Sequence, residues 1–263
     1  KYKRHSFINI IGLAIGMACT LLILLWVQDE LSFDRFHTDR DVIYRILGQG
    51  KQIKFFGSPA PLAPPLKDEV PEIVDAVRVR ELPRFVFKYG ENAFYENKGI
   101  AVDPAFFDIF TFTFVKGDVR TAFADPFFII ITEAMAKKYF GTEDPIDKPI
   151  DIEGQGFLTV KGVLKNVPHN SHLQFDYLLP YRFLENVRIC GLQWGDFNFY
   201  TYIKLANQSQ EHGIDDKITA VALKHNCPQV KYDGLKFFVQ PLSDMYLHPV
   251  SNYDIPLGNV RYV

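Results

Sequence analysis

Residues 7–27 of this chain, FINIIGLAIGMACTLLILLWV, contain no charged side chain, and only Asn9 and Thr20 are clearly polar. At the rise of an α-helix such a run reaches about 31 Å, close to the ~30 Å hydrocarbon core of a bilayer. Backbone N–H and C=O groups find no water there, so a lone span must satisfy them internally, and a helix does so. The stretch predicts a transmembrane helix over 7–27. Residues 1–6 then lie on one side of the membrane and the rest of the chain on the other.

The flanks give a direction. Lys1, Lys3, Arg4 and His5 precede the run with no acid among them, whereas Asp29, Glu30 and Asp34 follow it with Arg35 as the nearby base. The excess of basic residues on cytoplasmic segments assigns 1–6 to the cytoplasm and 28–263 to the far side, with Trp26 at an interface. A cleaved signal peptide fits less well: its apolar core is shorter, and no A-x-A pattern precedes Gln28. Gly16-Met17-Ala18-Cys19 is faintly like a lipoprotein cleavage site, but the apolar run continues past it to Val27. Gly12 and Gly16 have the G-x-x-x-G spacing that lets a second membrane helix approach closely, although small residues are common in such helices. They are not a phosphate loop, because the Lys-Ser/Thr ending is missing.

Beyond the span the composition is that of a folded domain. Of the 263 residues, 23% are charged and 48% hydrophobic, which excludes a disordered chain, and the formal net charge of −2 gives no basic stripe for nucleic acid. Only Cys190 and Cys227 lie outside the span, so one disulfide is conceivable there, although two free buried thiols are the better reading.

Residues 28–40 keep helical spacing, with Leu31 and Phe33 or Phe36 on one side, and predict a helical stalk. Its acids read as a solvated helix face rather than a catalytic pair. Residues 41–49 predict a strand, and 58–70 a short helix confined by Pro61, Pro64 and Pro65. Strand character over 73–80 continues through 85–87, and 94–102 reads as a further strand. A short helix over AFFDIF precedes an alternating strand at 111–114. Phe127 to Ile131 has the unbroken apolar character of a buried strand. Thr132 then caps a helix that Gly141 stops, and 149–153 with 157–167 form a hairpin about 154–156. Residue 175 onward reads as a strand, then as irregular chain to Trp194. A strand over 199–205, a helix with Ile214, Ile218 and Val221 on one face, and a strand over 235–241 follow.

His169-Asn170-Ser171-His172 offers two histidines three apart, but no Cys or third His stands at zinc-ligand spacing, and a polar turn is the better reading. Asn207-Gln208-Ser209 fits a glycosylation acceptor and means little without a secretory eukaryotic context. The residues assign no catalytic, cofactor or metal site.

Four stretches carry a resemblance. HSFINIIGLAIGMACTLLILLWVQDELSFDRFHTDRDVIYRI is similar to the start of permease subunits of the MacB/FtsX-like ABC transporter class. ITEAMAKKYFGTEDPIDKPI, FLTVKGVLKNVPHNSHLQFDYLLPY and PLSDMYLH resemble that class's MacB-like periplasmic core domain. The resemblance implies an α+β fold: one N-terminal transmembrane helix, then a two-lobed extracytoplasmic domain of strand–helix–strand units. Residues 41–170 with 236–263 would form the first lobe and 171–235 a second, inserted lobe. It also implies a bacterial inner-membrane permease without enzymatic activity of its own. Its partners would be a cytoplasmic ATP-binding subunit, a second permease copy, an optional periplasmic adaptor and the lipid bilayer, with no nucleic acid. Force from ATP hydrolysis would pass through helix and stalk to the outer domain. A membrane-anchored sensor or ligand-binding module is the alternative with the same topology.

Overall fold

The computed structural model of the chain describes residues 2–50, 54–55, 57–187 and 193–250. Helix α1 (Tyr2–Glu30) contains the whole predicted span. Phe7, Leu13 and Leu22 are 65%, 66% and 66% exposed, and no part of the apolar window is buried within the chain. A helix that is apolar all round and uncovered by the rest of the chain is long and apolar enough to cross a membrane and fits a membrane anchor.

The helical stalk expected over 28–40 is corrected. α1 ends at Glu30, residues 31–36 are turns, and Arg40–Val42 is a single 3-10 turn. Asp34 has a left-handed φ of 56°, and its N–H donates to the Asn170 carbonyl at 2.8 Å. That long-range bond replaces the i−4 partner a continuing helix would need. Periodicity gave way to a tertiary contact.

Strand β1 (Ile43–Gln49) is buried at its first six positions, and β2 (Lys54–Phe55) pairs with it. Helix α2 (Ala63–Glu69) carries prolines at its first positions, where a missing N–H costs nothing. Strand β3 (Ile73–Glu81) stops before Pro83, so β4 (Phe85–Tyr89) is separate rather than its continuation. The chain reverses at Gly90 (φ 58°) into β5 (Asn92–Glu96), and β6 (Gly99–Val102) is likewise distinct from β5.

Helix α3 (Phe106–Ile109) is followed by β7 (Phe114–Gly117), three residues later than the alternation at 111–114 suggests. Helix α4 (Val119–Ala122) is capped by the Asp118 carboxylate, which accepts from the Arg120 and Thr121 N–H groups. Strand β8 (Phe128–Thr132) leads into α5 (Glu133–Phe140). As expected, the Thr132 hydroxyl accepts from the Met135 N–H, and Gly141, at φ 62°, ends the helix. The hairpin β9 (Pro149–Ile152) and β10 (Gly156–Leu164) also follows the sequence reading.

Strand β11 (Tyr177–Pro180) runs directly into α6 (Tyr181–Asn186), where irregular chain was expected. Strand β12 (Tyr200–Leu205), α7 (Ile214–Lys224), α8 (Pro228–Asp233), β13 (Lys236–Pro241) and α9 (Leu242–Met245) complete the described residues.

The strands form one mixed sheet in the order β13-β1-β12-β3-β6-β11-β8-β10-β9-β4-β5, with β2 beside β1 and β7 beside β10. β10 with β8 and β11 with β6 are parallel; the other neighbours are antiparallel. Residues 171–235, expected as an inserted lobe, supply β11 between β6 and β8 and β12 between β1 and β3. The sheet therefore has no break at 170/171.

Three apolar clusters cover it. α2 and α7 close over Tyr44, Ile46 and Ile203, and α5 and α6 over Ile129, Ile152 and Tyr177. α3 and α9 close over Val77, Val102 and Tyr202. Phe106 and Phe110 pack in this last cluster as core, with Phe112 partly buried against it.

Candidate functional site

The feature that sets this molecule apart from a plain soluble sheet is the joint where α1 meets the domain. Four residues beyond its last turn, Asp34 is 2% exposed. This corrects the reading of Asp29, Glu30 and Asp34 as one solvated face: Asp34 is withdrawn from water. A buried carboxylate needs donors, since an unpaired one costs several kcal/mol.

Those donors come from residues 168–172, Pro-His-Asn-Ser-His. The His172 backbone N–H donates to Asp34 Oδ1 at 3.1 Å, and His172 Nδ1 lies 2.9 Å from the same oxygen. His172 Nε2 is 3.0 Å from the Tyr202 hydroxyl on β12. The ring thus bridges the two groups, Nδ1 facing the Asp34 carboxylate and Nε2 the Tyr202 hydroxyl. Burial alone would raise the Asp34 carboxyl, but the facing His172, through charge and hydrogen bonds, carries it below its ordinary value.

His37 completes the cluster from the other side. Its Nδ1 accepts the Thr111 N–H at 3.0 Å, which turns Nε2 toward Asp34 Oδ1 at 3.7 Å. Burial lowers the imidazole to about 4, against the pull of Asp34. The Phe110 and Phe112 rings stand edge-on to it at 5.1 and 5.5 Å.

Around this centre the joint is stitched several times. Asn170 Nδ2 donates to the Ser32 carbonyl and hydroxyl at 3.1 and 2.9 Å, and Ser32 Oγ donates to the Asp29 carbonyl at 2.6 Å. His169 Nε2 lies 3.0 Å from Asp29 Oδ1 at the surface. Phe33 stacks on Tyr246, just after α9, with ring centroids 3.5 Å apart. Burial, and then a hydrogen bond to Glu30, pushes the Tyr246 phenol up. Lys204 Nζ on β12 donates to Asp39 at 2.6 Å. Four separate parts of the domain thus grip the end of α1 and the segment that follows it.

The HNSH segment is a turn, as read, but His172 is buried in it rather than solvated. No local signal marks that, because Asp34 lies far away in sequence. Among the described residues no group of three or more His, Cys, Asp or Glu side chains is placed to hold a metal. Gly12 and Gly16 sit on the uncovered surface of α1, where a Cβ would meet nothing within 4 Å, and Thr20 Oγ bonds the Gly16 carbonyl at 2.9 Å. Cys227 is buried, while Cys190, the other half of the conceivable pair, lies outside the described residues.

Comparison with known proteins agrees with this architecture. The family described as MacB-like periplasmic core domain matches residues 6–221. No curated protein matches the chain. Among solved structures, a domain from a Porphyromonas gingivalis protein described as a permease is 22% identical with a TM-score of 0.68, covering 78% of this chain and 92% of that one. The periplasmic region of MacB from Actinobacillus actinomycetemcomitans is 15% identical with a TM-score of 0.56, covering 78% and 90%. The extracellular domain of the ABC-type transporter YknZ from Gram-positive bacteria is 14% identical with a TM-score of 0.55, covering 75% and 99%. At these identities the structures establish a shared fold. With most of its length matched by the family, the chain belongs to the MacB-like periplasmic core domain family, the periplasmic module of ABC-type transporter permeases.

Proposed function

We propose that this chain is the first membrane helix and outer domain of a permease that converts ATP hydrolysis in a separate cytoplasmic subunit into movement outside the membrane. One observation carries the reading: the segment leaving α1 is clamped into the domain through the buried Asp34–His172 contact, itself tied to β12 through Tyr202. A shift or tilt of α1 then has a stiff path into the sheet. Stiffness comes from this clamp rather than from an extended helical stalk.

The rest of the reading follows from the family and the flanking charges. The N-terminus faces the cytoplasm and the domain faces outward in a bacterial inner membrane. A second permease copy packs against α1 through the Gly12 and Gly16 side, and a periplasmic adaptor is an optional further partner. The work done is export or another periplasmic task. A lobe boundary at 170/171 is not carried into this mechanism, since β11 and β12 are hydrogen-bonded into the common sheet.

The test is an insertion of a Gly-Gly-Ser segment between Glu30 and Leu31 in the assembled transporter. Assembly and basal ATPase activity should persist while transport falls at least about tenfold, as expected when positioning is lost. Unchanged transport would remove the force-relay reading.

A further inference from the structure

A second feature of the joint lies outside the clamp. A cleft of about 140 Å³ opens beside the end of α1, lined by Glu30, Leu31, Phe33, Arg35, Arg40 and Tyr246 among others. Its height above the membrane follows from the helix. Glu30 is three residues past Val27, the end of the apolar run, which is about 4.5 Å of helical rise. Half the difference between the ~30 Å hydrocarbon core and the ~40–45 Å full bilayer is about 5–7 Å, so the cleft sits in the headgroup layer.

Its chemistry is mixed in a specific way. Arg35 is exposed and has no side-chain hydrogen bond or ion pair among the described residues. Arg40 Nε lies 3.2 Å from Asp41 Oδ1, and both side chains reach solvent. Glu30 lines the cleft together with Tyr246, and its carboxylate has lone pairs to offer a donor. Leu31, 40% exposed, and the Phe33 ring supply apolar wall to the cleft. Two guanidinium groups suit a phosphate, with the fork geometry that binds it best. One carboxylate in the same cleft opposes a purely anionic headgroup and suits an ammonium.

We propose that this cleft binds the headgroup of a phosphoethanolamine-class phospholipid, its phosphate at Arg35 and Arg40 and its primary ammonium at Glu30. The bound lipid would fix the level of the joint against the membrane surface. The assignment rests on α1 spanning the bilayer, a premise that incorporation of the protein into lipid nanodiscs checks separately.

The experiment uses the full chain in nanodiscs of mixed phosphatidylethanolamine, phosphatidylcholine and phosphatidylglycerol, with retained lipid counted by native mass spectrometry. Wild type should retain phosphatidylethanolamine over phosphatidylcholine, and R35Q should lower that retention by about tenfold, the scale of one charge-assisted contact pair. E30Q should keep bound lipid but lose the preference for ethanolamine over choline. R84Q, whose guanidinium lies over Tyr95 at the far end of the sheet, should change nothing. Retention by R35Q equal to wild type would overturn the site. Phosphatidylglycerol retained as well as phosphatidylethanolamine would overturn the zwitterionic assignment.

Discussion

Residues 168–172 present two histidine–aspartate contacts that differ in little but burial. His169 approaches Asp29 at 3.0 Å with side chains 77% and 54% exposed, and His172 approaches Asp34 at 2.9 Å with both 2% exposed. In water the outer pair is screened, and the entropy of holding two free side chains offsets much of its attraction. The inner pair has no water to fall back on, so losing either member strands polar groups in the core. Equal distances thus conceal unequal roles. The inner contact fixes how α1 enters the domain, and the outer one trims its edge.

The largest effect should come from D34A, which strands the His172 N–H groups and places alanine at a left-handed backbone position. We expect a loss of about 3 kcal/mol or more by chemical denaturation. D34N keeps an acceptor and tolerates that φ, and should lose clearly less. Equal losses in the two variants would mean that the carboxylate contributes nothing.

The next effect is on pH. His37 is held at about 4, below its ordinary 6.5, so the folded state favours the neutral ring. Its stability contribution is complete above pH 6.5 and is lost as pH falls toward 4. Asp34 is lowered too, so its contribution is present above its ordinary 3.8 and is lost as pH falls further, through its folded value. Stability should therefore decline between pH 6.5 and 4, and H37Q should flatten that limb. A wild-type curve already flat there would contradict the buried cluster.

A smaller loss, about 1–2 kcal/mol, is expected for F33A, which removes the stacked partner of Tyr246. Smallest is H169A, at about 0.5 kcal/mol and vanishing in 0.5 M salt. Should H169A match H172A, the contrast between inner and outer pairs fails.

Much of this molecule can be read from local pattern. The apolar run of α1, the Thr132 cap, the Gly141 stop and the face of Ile214, Ile218 and Val221 each follow from rules spanning one or two turns. Strand order does not, because placing β12 between β1 and β3 depends on contacts across more than a hundred residues. The clamp hides for the same reason. Helical spacing over 28–36 is real, but the Asn170 carbonyl and the left-handed Asp34 override it. Nothing near His172 shows that an aspartate from the helix end will bury against it. The family resemblance reached the fold and left the joint unseen.

The central claim, that the domain follows α1 as one stiff unit, is tested most directly by a spin-label distance. Labels would replace Leu22 on the exposed surface of α1 and Lys165 on the exposed stretch before the clamp, with the native cysteines changed to alanine. In the assembled transporter the distance distribution should be single and narrow, and the same with and without bound ATP, broadening only in D34A. A second distance appearing in the wild type on ATP binding would mean that the joint is a hinge, and that α1 does not drive the domain.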